Sequence, residues 1–412
     1  MTIKLTYNKL YLFLIYIAIT SLLLVDVSPI PLSVSMALMF VVPFFYVKPK
    51  YIISNLINNK KMIMLMCCFL ALVPSLFYTK NYNYLFERWQ IALPFLLLPI
   101  AFSNTHKITK SQFAKVLLWL ALQVFLIALV AIIYYIFHTD EVNQRYLESQ
   151  VMPTILTHHP TYSMLVAFSI YIIYYVITSK KTYLNVWQKN TLWFVAFFLF
   201  VFQHIYSVRI GLLALYILIF IEIARLVFIS KQYFLAIIGL VTVLAIAIVT
   251  IKYSPTVQNK IKNSQKDLNV MQSNQNADHH SMAMRIISYK IALQIIKENP
   301  IWGVGLGNMK DELEKRYQLL YPEMKKRIIP HNLFLFLGAS IGIFGLLLFS
   351  FGLFYGFIFF FSLNPHLLNI HYIMVFIYAM VEAGTQTQLG VAYIILPILI
   401  GSNTLILKSK SL

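Results

Sequence analysis

Apolar runs about as long as a bilayer is thick recur along nearly the whole chain. Few features constrain a polypeptide more, because in hydrocarbon every backbone N–H and C=O must be satisfied from within, and a continuous apolar run does this as a helix. The runs lie near 10–28, 31–47, 62–78, 89–103, 113–137, 160–178, 190–206, 209–229, 233–251, 333–362, 370–383 and 390–407. Composition agrees: 60% of residues are hydrophobic and 11% charged, against about 45–50% and about 25% in a soluble domain. The expected fold is therefore all-α, a polytopic integral membrane bundle of about twelve transmembrane helices. About nine spans fall in residues 1–251 and about three in 333–412, on either side of one large external loop at 252–332. Within 333–362, Gly338, Gly342 and Gly345 point to a short surface helix leading into the true span. The first run follows Lys4 and Lys9 without a small-residue cleavage site, which reads as an uncleaved anchor. Cys67 and Cys68 lie side by side inside an apolar run, where neither a disulfide framework nor a metal knuckle is expected.

The net charge of +19 separates by position. Lys4, Lys9, Lys48, Lys50, Lys60, Lys61, Lys107, Lys110, Lys180, Lys181, Lys189, Lys231, Lys408 and Lys410 all fall at one set of alternate ends, with hardly an acid among them. The positive-inside rule makes that side cytoplasmic, and with it both termini. The segment from Lys252 to Pro330 lies on the other side, with 13 basic and 7 acidic residues and hence a local balance of +6. It is too long for the orientation rule to govern its charge, so that excess suits an anionic ligand.

Within this segment, 253–281 is rich in Asn, Gln, Ser and Lys and reads as a flexible loop; its His279-His280 pair lacks companions at metal-ligand spacing. A helix is expected near 281–299, with Ile287, Ile291 and Ile295 on one face beside Ile286 and Ala292, and Arg285 in its first turn. Pro300 stops it. Gly303, Gly305 and Gly307 follow as a compact turn that lets backbone approach a neighbour or ligand; without a preceding strand, a nucleotide cradle is not expected. A second helix is expected near 309–320, with Asp311–Lys315 and Glu312–Arg316 pairs and an inner face of Leu313, Tyr317 and Leu320. The segment ends at Pro330-His331-Asn332. There Asn332 suits a helix cap, and His331 is either an interface residue or a general base.

Other polar residues fall on the same external side. Arg209 opens a span and needs an acid or an anionic ligand at that depth. His158-His159-Pro160-Thr161-Tyr162-Ser163 begins another span, and Glu382, Gln386 and Gln388 lie at the last external turn. Together these residues point to one polar site at the external bilayer surface. Glu222 and Arg225, by contrast, read as an i, i+3 contact on a helix.

The residues that carry this site resemble the O-antigen ligase and polymerase superfamily of bacterial membrane glycosyltransferases. The likeness rests on Ser207-Val208-Arg209-Ile210-Gly211, on Arg285 and its helix, and on Asn299-Pro300-Ile301-Trp302-Gly303-Val304-Gly305-Leu306-Gly307-Asn308. It continues in His331-Asn332-Leu333 and Gly342-Ile343-Phe344-Gly345-Leu346, with weaker likeness at His159–Tyr162 and Glu382–Gly390. The resemblance implies transfer of a glycan from an undecaprenyl diphosphate carrier to a lipid A-core hydroxyl, or another glycan acceptor, at the periplasmic face of the inner membrane. It implies His331 as the base and Arg285 and Arg209 as diphosphate ligands. Asn332, Gly303, Gly305, Gly307, His159, Tyr162, Glu382 and Gln388 are the residues expected to shape the site. The reaction is expected to invert and to need neither metal nor cofactor, since the external segment has no carboxylate cluster; no nucleic-acid partner is expected. Polymerase and protein O-glycosyltransferase activities share these motifs. A transporter of the same lipid carrier would instead favour polar or broken-helix features near the bilayer midplane.

Single cysteines at Asn274 and Lys410, in a background lacking Cys67 and Cys68, test the orientation. The first is expected to react with an impermeant thiol reagent from outside and the second only from inside. Labelling of both from one side overturns the assigned topology.

Overall fold

The computed structural model describes residues 2–148, 150–179, 184–273, 278, 281–361 and 366–404. Along the chain run α1 (Thr2–Leu23), α2 (Ile30–Tyr46), α3 (Pro49–Ile57), α4 (Lys60–Leu70), α5 (Tyr82–Ala92), α6 (Pro94–Ser103), α7 (Lys110–Phe137), α8 (Thr139–Leu147) and α9 (His159–Thr178). There follow α10 (Val186–Tyr206), α11 (Arg209–Phe228), α12 (Tyr233–Tyr253), α13 (Pro255–Ser273), α14 (Ser281–Glu298), α15 (Met309–Leu320), α16 (Leu333–Phe361), α17 (His366–Val381) and α18 (Gln388–Ser402). Among the described residues there is no strand, only an isolated bridge between Ile108 and Thr404. The all-α expectation therefore holds.

Among those residues, seven helical segments are long and apolar enough to cross a membrane, or eight if α2 and α3, bent by 117°, count as one span. This is fewer than the dozen expected, and the reason is length. α17 and α18 have 16 and 15 residues, short of the roughly 20 that a bilayer asks of a helix. α10 has 21 residues, but its first turns hold Gln188, Lys189, Asn190 and Thr191.

The helices gather into two compact units. One comprises 1–120, 287–322 and 327–412; the other comprises 121–286 and 323–326. The first is organised around a break in α16. At Gly342 the backbone takes φ 67° and ψ −173°, a region that essentially only glycine enters. The break frees the carbonyls of Ala339 and Ser340, and the glycine turn fills them: Val304 N donates to Ala339 O at 3.0 Å and Gly305 N to Ser340 O at 2.9 Å. In return Ile343 N donates to Pro300 O at 2.9 Å. The approach is close enough that a Cβ on Gly342 would lie 2.0 Å from Ile301 O, and one on Gly303 2.5 Å from Ser340 C. The stretch of α16 preceding Gly342 is thus set off from the rest of the helix by this docked turn.

The far side of the turn is fixed by Asn308. Its Oδ1 accepts from Lys80 N at 2.6 Å, and its Nδ2 donates to Val304 O at 2.8 Å and Tyr78 O at 3.2 Å. α14 buries Ala283, Ser288, Ile291, Ala292 and Ile295, while Ile286 and Ile287 of the expected stripe are half-buried. In α15 Leu313 and Tyr317 are buried, but Leu320 is exposed, since the helix ends there. Arg316 joins both helices, bonding Glu312 at 2.7 Å and Glu298 at 2.7 and 2.5 Å. Its hydrogen bonds hold the Glu298 carboxyl below the usual carboxylate range.

In the second unit, the expected loop at 253–281 is replaced over Pro255–Ser273 by α13. Pro255 is placed where a helix tolerates proline, at its first turn. Its polar residues anchor it: Asn259 Nδ2 donates to Asn143 O and Asn263 Nδ2 to Tyr146 O, each at 3.2 Å. Polarity here serves packing against α8. Preceding it, α12 is largely apolar, with Lys252 in its last turn, and Ala236 is its one buried residue.

Alanine at Gly342 demands a forbidden backbone region and displaces Ile301. Gly342→Ala is expected to lower stability by about 1–3 kcal/mol, or to abolish folding. Gly239→Ala, whose added carbon meets nothing nearer than 3.7 Å, is the neutral control. Thermal unfolding of the two purified variants in one detergent makes the comparison.

Candidate functional site

In the first unit, His331 Nδ1 lies 2.7 Å from Glu382 Oε2. Glu382 is 3% exposed, whereas the His331 side chain keeps 29% of its surface. A carboxylate on Nδ1 selects the tautomer: Nδ1–H donates to Glu382, and the Nε2 lone pair is the basic site. The backbone of the histidine is fixed from two directions. Tyr289 Oη, on α14, donates to His331 O at 2.6 Å. Next to it, Asn332 Oδ1 accepts from Leu335 N at 3.0 Å, the expected helix cap, while its Nδ2 donates to Met380 O at 2.9 Å. Asn332 therefore fastens the start of α16 to the end of α17, where Glu382 follows. Glu382 N itself continues the ladder of α17 by donating to Tyr378 O at 2.8 Å.

The connection between α17 and α18 forms a tight loop. A single 3-10 turn, Gly384–Gln386, leads to Thr387, whose side chain accepts from Gly390 N and caps α18. Gln388 Nε2 donates to Ser33 Oγ at 2.7 Å, so this expected site residue ties α18 to α2. Both lie at the rim of a mostly apolar cavity of about 360 Å³ bounded also by Gln90, Pro94 and Leu98. Arg88 of α5 reaches the loop from another side, with Nη1 2.9 Å from Gln386 O.

The glycine turn makes the close backbone approach expected of it, to a neighbouring helix. The N–H groups of Val304 and Gly305 are spent on α16, and Gly303 N donates to Asn299 O at 3.1 Å. Gly307 packs on 79–81, with an added Cβ 2.1 Å from Thr79 Oγ1. These glycines shape the unit by backbone approach.

The second unit holds the remaining expected residues. Arg209 opens α11 and is exposed, just after Ser207 with φ 50° and Val208 at the cap position. The turn is set on buried polar contacts: Gln203 Nε2 donates to Ser163 Oγ at 2.8 Å, and Ser207 Oγ meets Thr256 Oγ1 at 3.1 Å. His159 Nδ1 lies 2.8 Å from Tyr206 Oη, one residue before that turn. Tyr162 is fully buried and its hydroxyl donates to Val124 O at 3.1 Å, so it contributes to the packing of this unit. Arg285 is half-buried in α14. Glu222 is more than an i, i+3 partner of Arg225, since Tyr171 Oη donates to it at 2.5 Å and Tyr174 Oη at 3.3 Å. Among the described residues no three His, Cys, Asp or Glu side chains are grouped to hold a metal ion; His279 and His280 lie outside those residues.

Residues 194–350 match the family model for O-antigen ligase. Over that stretch the chain is similar to the O-antigen ligase superfamily. The match spans α10 to α16, and so takes in Arg209, Arg285, the glycine turn, His331 and Asn332, while His159, Glu382 and Gln388 lie outside it. Members of that family are glycosyltransferase-like enzymes, and the seven long apolar helical segments among the described residues suit a multi-pass membrane protein. No curated protein matches the chain.

Sequence reasoning missed Tyr289 and Arg88. The first had a signal, since it follows Arg285 by one helical turn; Arg88 sits just before an apolar run and looks like an ordinary flanking charge. Asn332→Ala removes both the cap and the bond to Met380 O, and is expected to cost about 1–2 kcal/mol of stability. Asn332→Asp retains the capping acceptor but not the donor and should fall between. Unfolding midpoints of the three proteins provide the check.

Proposed function

We propose that this protein transfers a glycan from an undecaprenyl diphosphate carrier to an acceptor hydroxyl at the periplasmic face, acting as an O-antigen ligase on a lipid A-core acceptor. The observation that carries the reading is the His331–Glu382 pair at 2.7 Å, with the histidine inside the family-matched stretch. Nε2 of His331 takes the proton of the acceptor hydroxyl as its oxygen attacks the anomeric carbon. The bond from that carbon to the diphosphate breaks, and the diphosphate leaves with the electron pair. A single displacement inverts the anomeric centre.

The leaving diphosphate gathers negative charge, and Arg285 and Arg209 are assigned to it because guanidinium is permanently charged and offers bidentate donors. Stabilisation that grows with the charge on the leaving oxygen lowers the barrier. A base at His331 is worth roughly 10²–10⁴ in rate. No metal ion is invoked in this scheme.

Inactivation in the native host followed by glycan analysis identifies the reaction. Loss of capped lipopolysaccharide with long lipid-linked chains retained is the ligase result, whereas single-repeat products identify a polymerase. With purified protein, His331→Ala is expected to fold, bind lipid-linked donor and lose at least about a hundredfold in transfer. Arg285→Lys should weaken productive donor engagement, because a point charge replaces the fork. A folded His331→Ala protein with near-normal turnover removes His331 from the mechanism.

A further inference from the structure

The Glu382–Thr387 loop is short, contains one 3-10 turn and carries Glu382, whose Oε2 lies 2.7 Å from His331 Nδ1. Its ends are fixed by α17 and by the Thr387 cap of α18. What holds its middle is Arg88. Nη1 of that residue donates to Gln386 O at 2.9 Å and to Gln386 Oε1 at 3.2 Å. Tyr84 completes the clasp, with its ring 4.8 Å beneath the guanidinium and its hydroxyl 3.5 Å from the same Oε1.

The guanidinium is held in an unusual way for a side chain only 11% exposed. Its Nη2 pairs with Glu87, adjacent in sequence and itself mostly exposed. The deeper bonds go to a carbonyl and an amide, and Nε is buried without an acceptor among the described residues. Burying a cation against an exposed, screened acid is a poor way to gain stability, since the desolvation cost is only partly offset. What this arrangement does provide is geometry, because a planar fork on one residue's main-chain and side-chain oxygens fixes that residue in position and orientation.

The base of Arg88 is equally fixed. Asn81 caps α5 by accepting from Tyr84 N at 3.0 Å and bonds Asp311 Oδ2 through Nδ2 at 3.0 Å. Lys80 N, one residue earlier, donates to Asn308 Oδ1. Asn308 belongs to the turn docked on α16, and α16 begins directly after His331. The helix that carries Arg88 and the helix that follows His331 are therefore tied to the same turn.

We propose that Arg88 is a positioning residue for the transfer reaction: by clasping Gln386 it sets the loop from which Glu382 meets His331. This rests on the proposed role of His331. The clasp acts through Glu382, so its loss and the loss of the Glu382 carboxylate must overlap in effect.

A double-mutant cycle tests this with full-length purified protein and lipid-linked glycan donor. Arg88→Gln is expected to lower kcat by about tenfold to a hundredfold, the scale of an ångström's misplacement, with KM for the donor unchanged. Arg88→Lys, which keeps the charge but not the fork, should retain an intermediate kcat; it also serves as the test protein if Arg88→Gln does not fold. In a Glu382→Gln background either substitution at Arg88 should have less than threefold further effect. Wild-type kcat in a folded Arg88 variant, or effects of Arg88 and Glu382 that multiply fully, overturns the proposal. A loss of donor affinity at constant kcat also overturns it, because Arg88 would then be a ligand for the donor. Failure of the underlying reading looks different: there His331→Ala retains normal turnover, whatever Arg88 does.

Discussion

The first unit depends on an exchange of backbone hydrogen bonds between a broken helix and a turn. A helix interrupted in apolar surroundings must find new partners for the groups it releases, and side chains are ill suited to reach them at van der Waals distance. Here the partners come from Val304, Gly305 and Pro300, main chain against main chain. That solution requires glycine on both surfaces, at Gly342 and Gly303, and it explains why the glycines in this segment are spaced as they are. The same turn then reaches Tyr78, Lys80 and Asn81 through Asn308. A stretch of ten residues thus joins the start of α5 to the middle of α16.

His331 and Glu382 inherit their placement from this frame. Asn332 fastens α16 to α17, Tyr289 fastens α14 to the histidine, and the loop after α17 presents the carboxylate. The polar chemistry is thus mounted on helix ends, where backbone groups are available for bonding and the chain is stiff on one side. Glu382 is buried and His331 is not, an asymmetry that suits a histidine meant to meet another molecule and an acid meant only to hold it.

Much of this was legible in the sequence because it rests on local signals. The isoleucine spacing and Pro300 delimit α14 closely, and Asn332 before an apolar run reads correctly as a cap. The span count was less legible, since runs such as 370–383 are apolar enough but belong to helices that are short. The polar stretch at 253–281 was misread over α13 because its asparagines serve contacts with α8, which composition does not reveal. The placement of His331 and Glu382 on one side followed from alternation of the spans, but their pairing depends on a loop whose shape is set by Arg88 and by the closeness of Gly384 to Gly390. Those are tertiary facts, and no periodicity encodes them.

α12 illustrates a freedom that the rest of the chain lacks. Ala236 alone is buried in it, with Gly239, Val243, Ile246, Ala247 and Thr250 half-buried, and its other residues face outward. For such a segment the solvent is hydrocarbon, and hydrocarbon asks only for apolarity, not for shape. Exchange among leucine, isoleucine, valine and phenylalanine along α12 is therefore nearly free, and over evolutionary time its sequence should wander as that of a surface loop does in a water-soluble protein. The fastest-drifting part of this chain is then to be sought among its most hydrophobic residues, the reverse of the pattern by which buried cores are usually found.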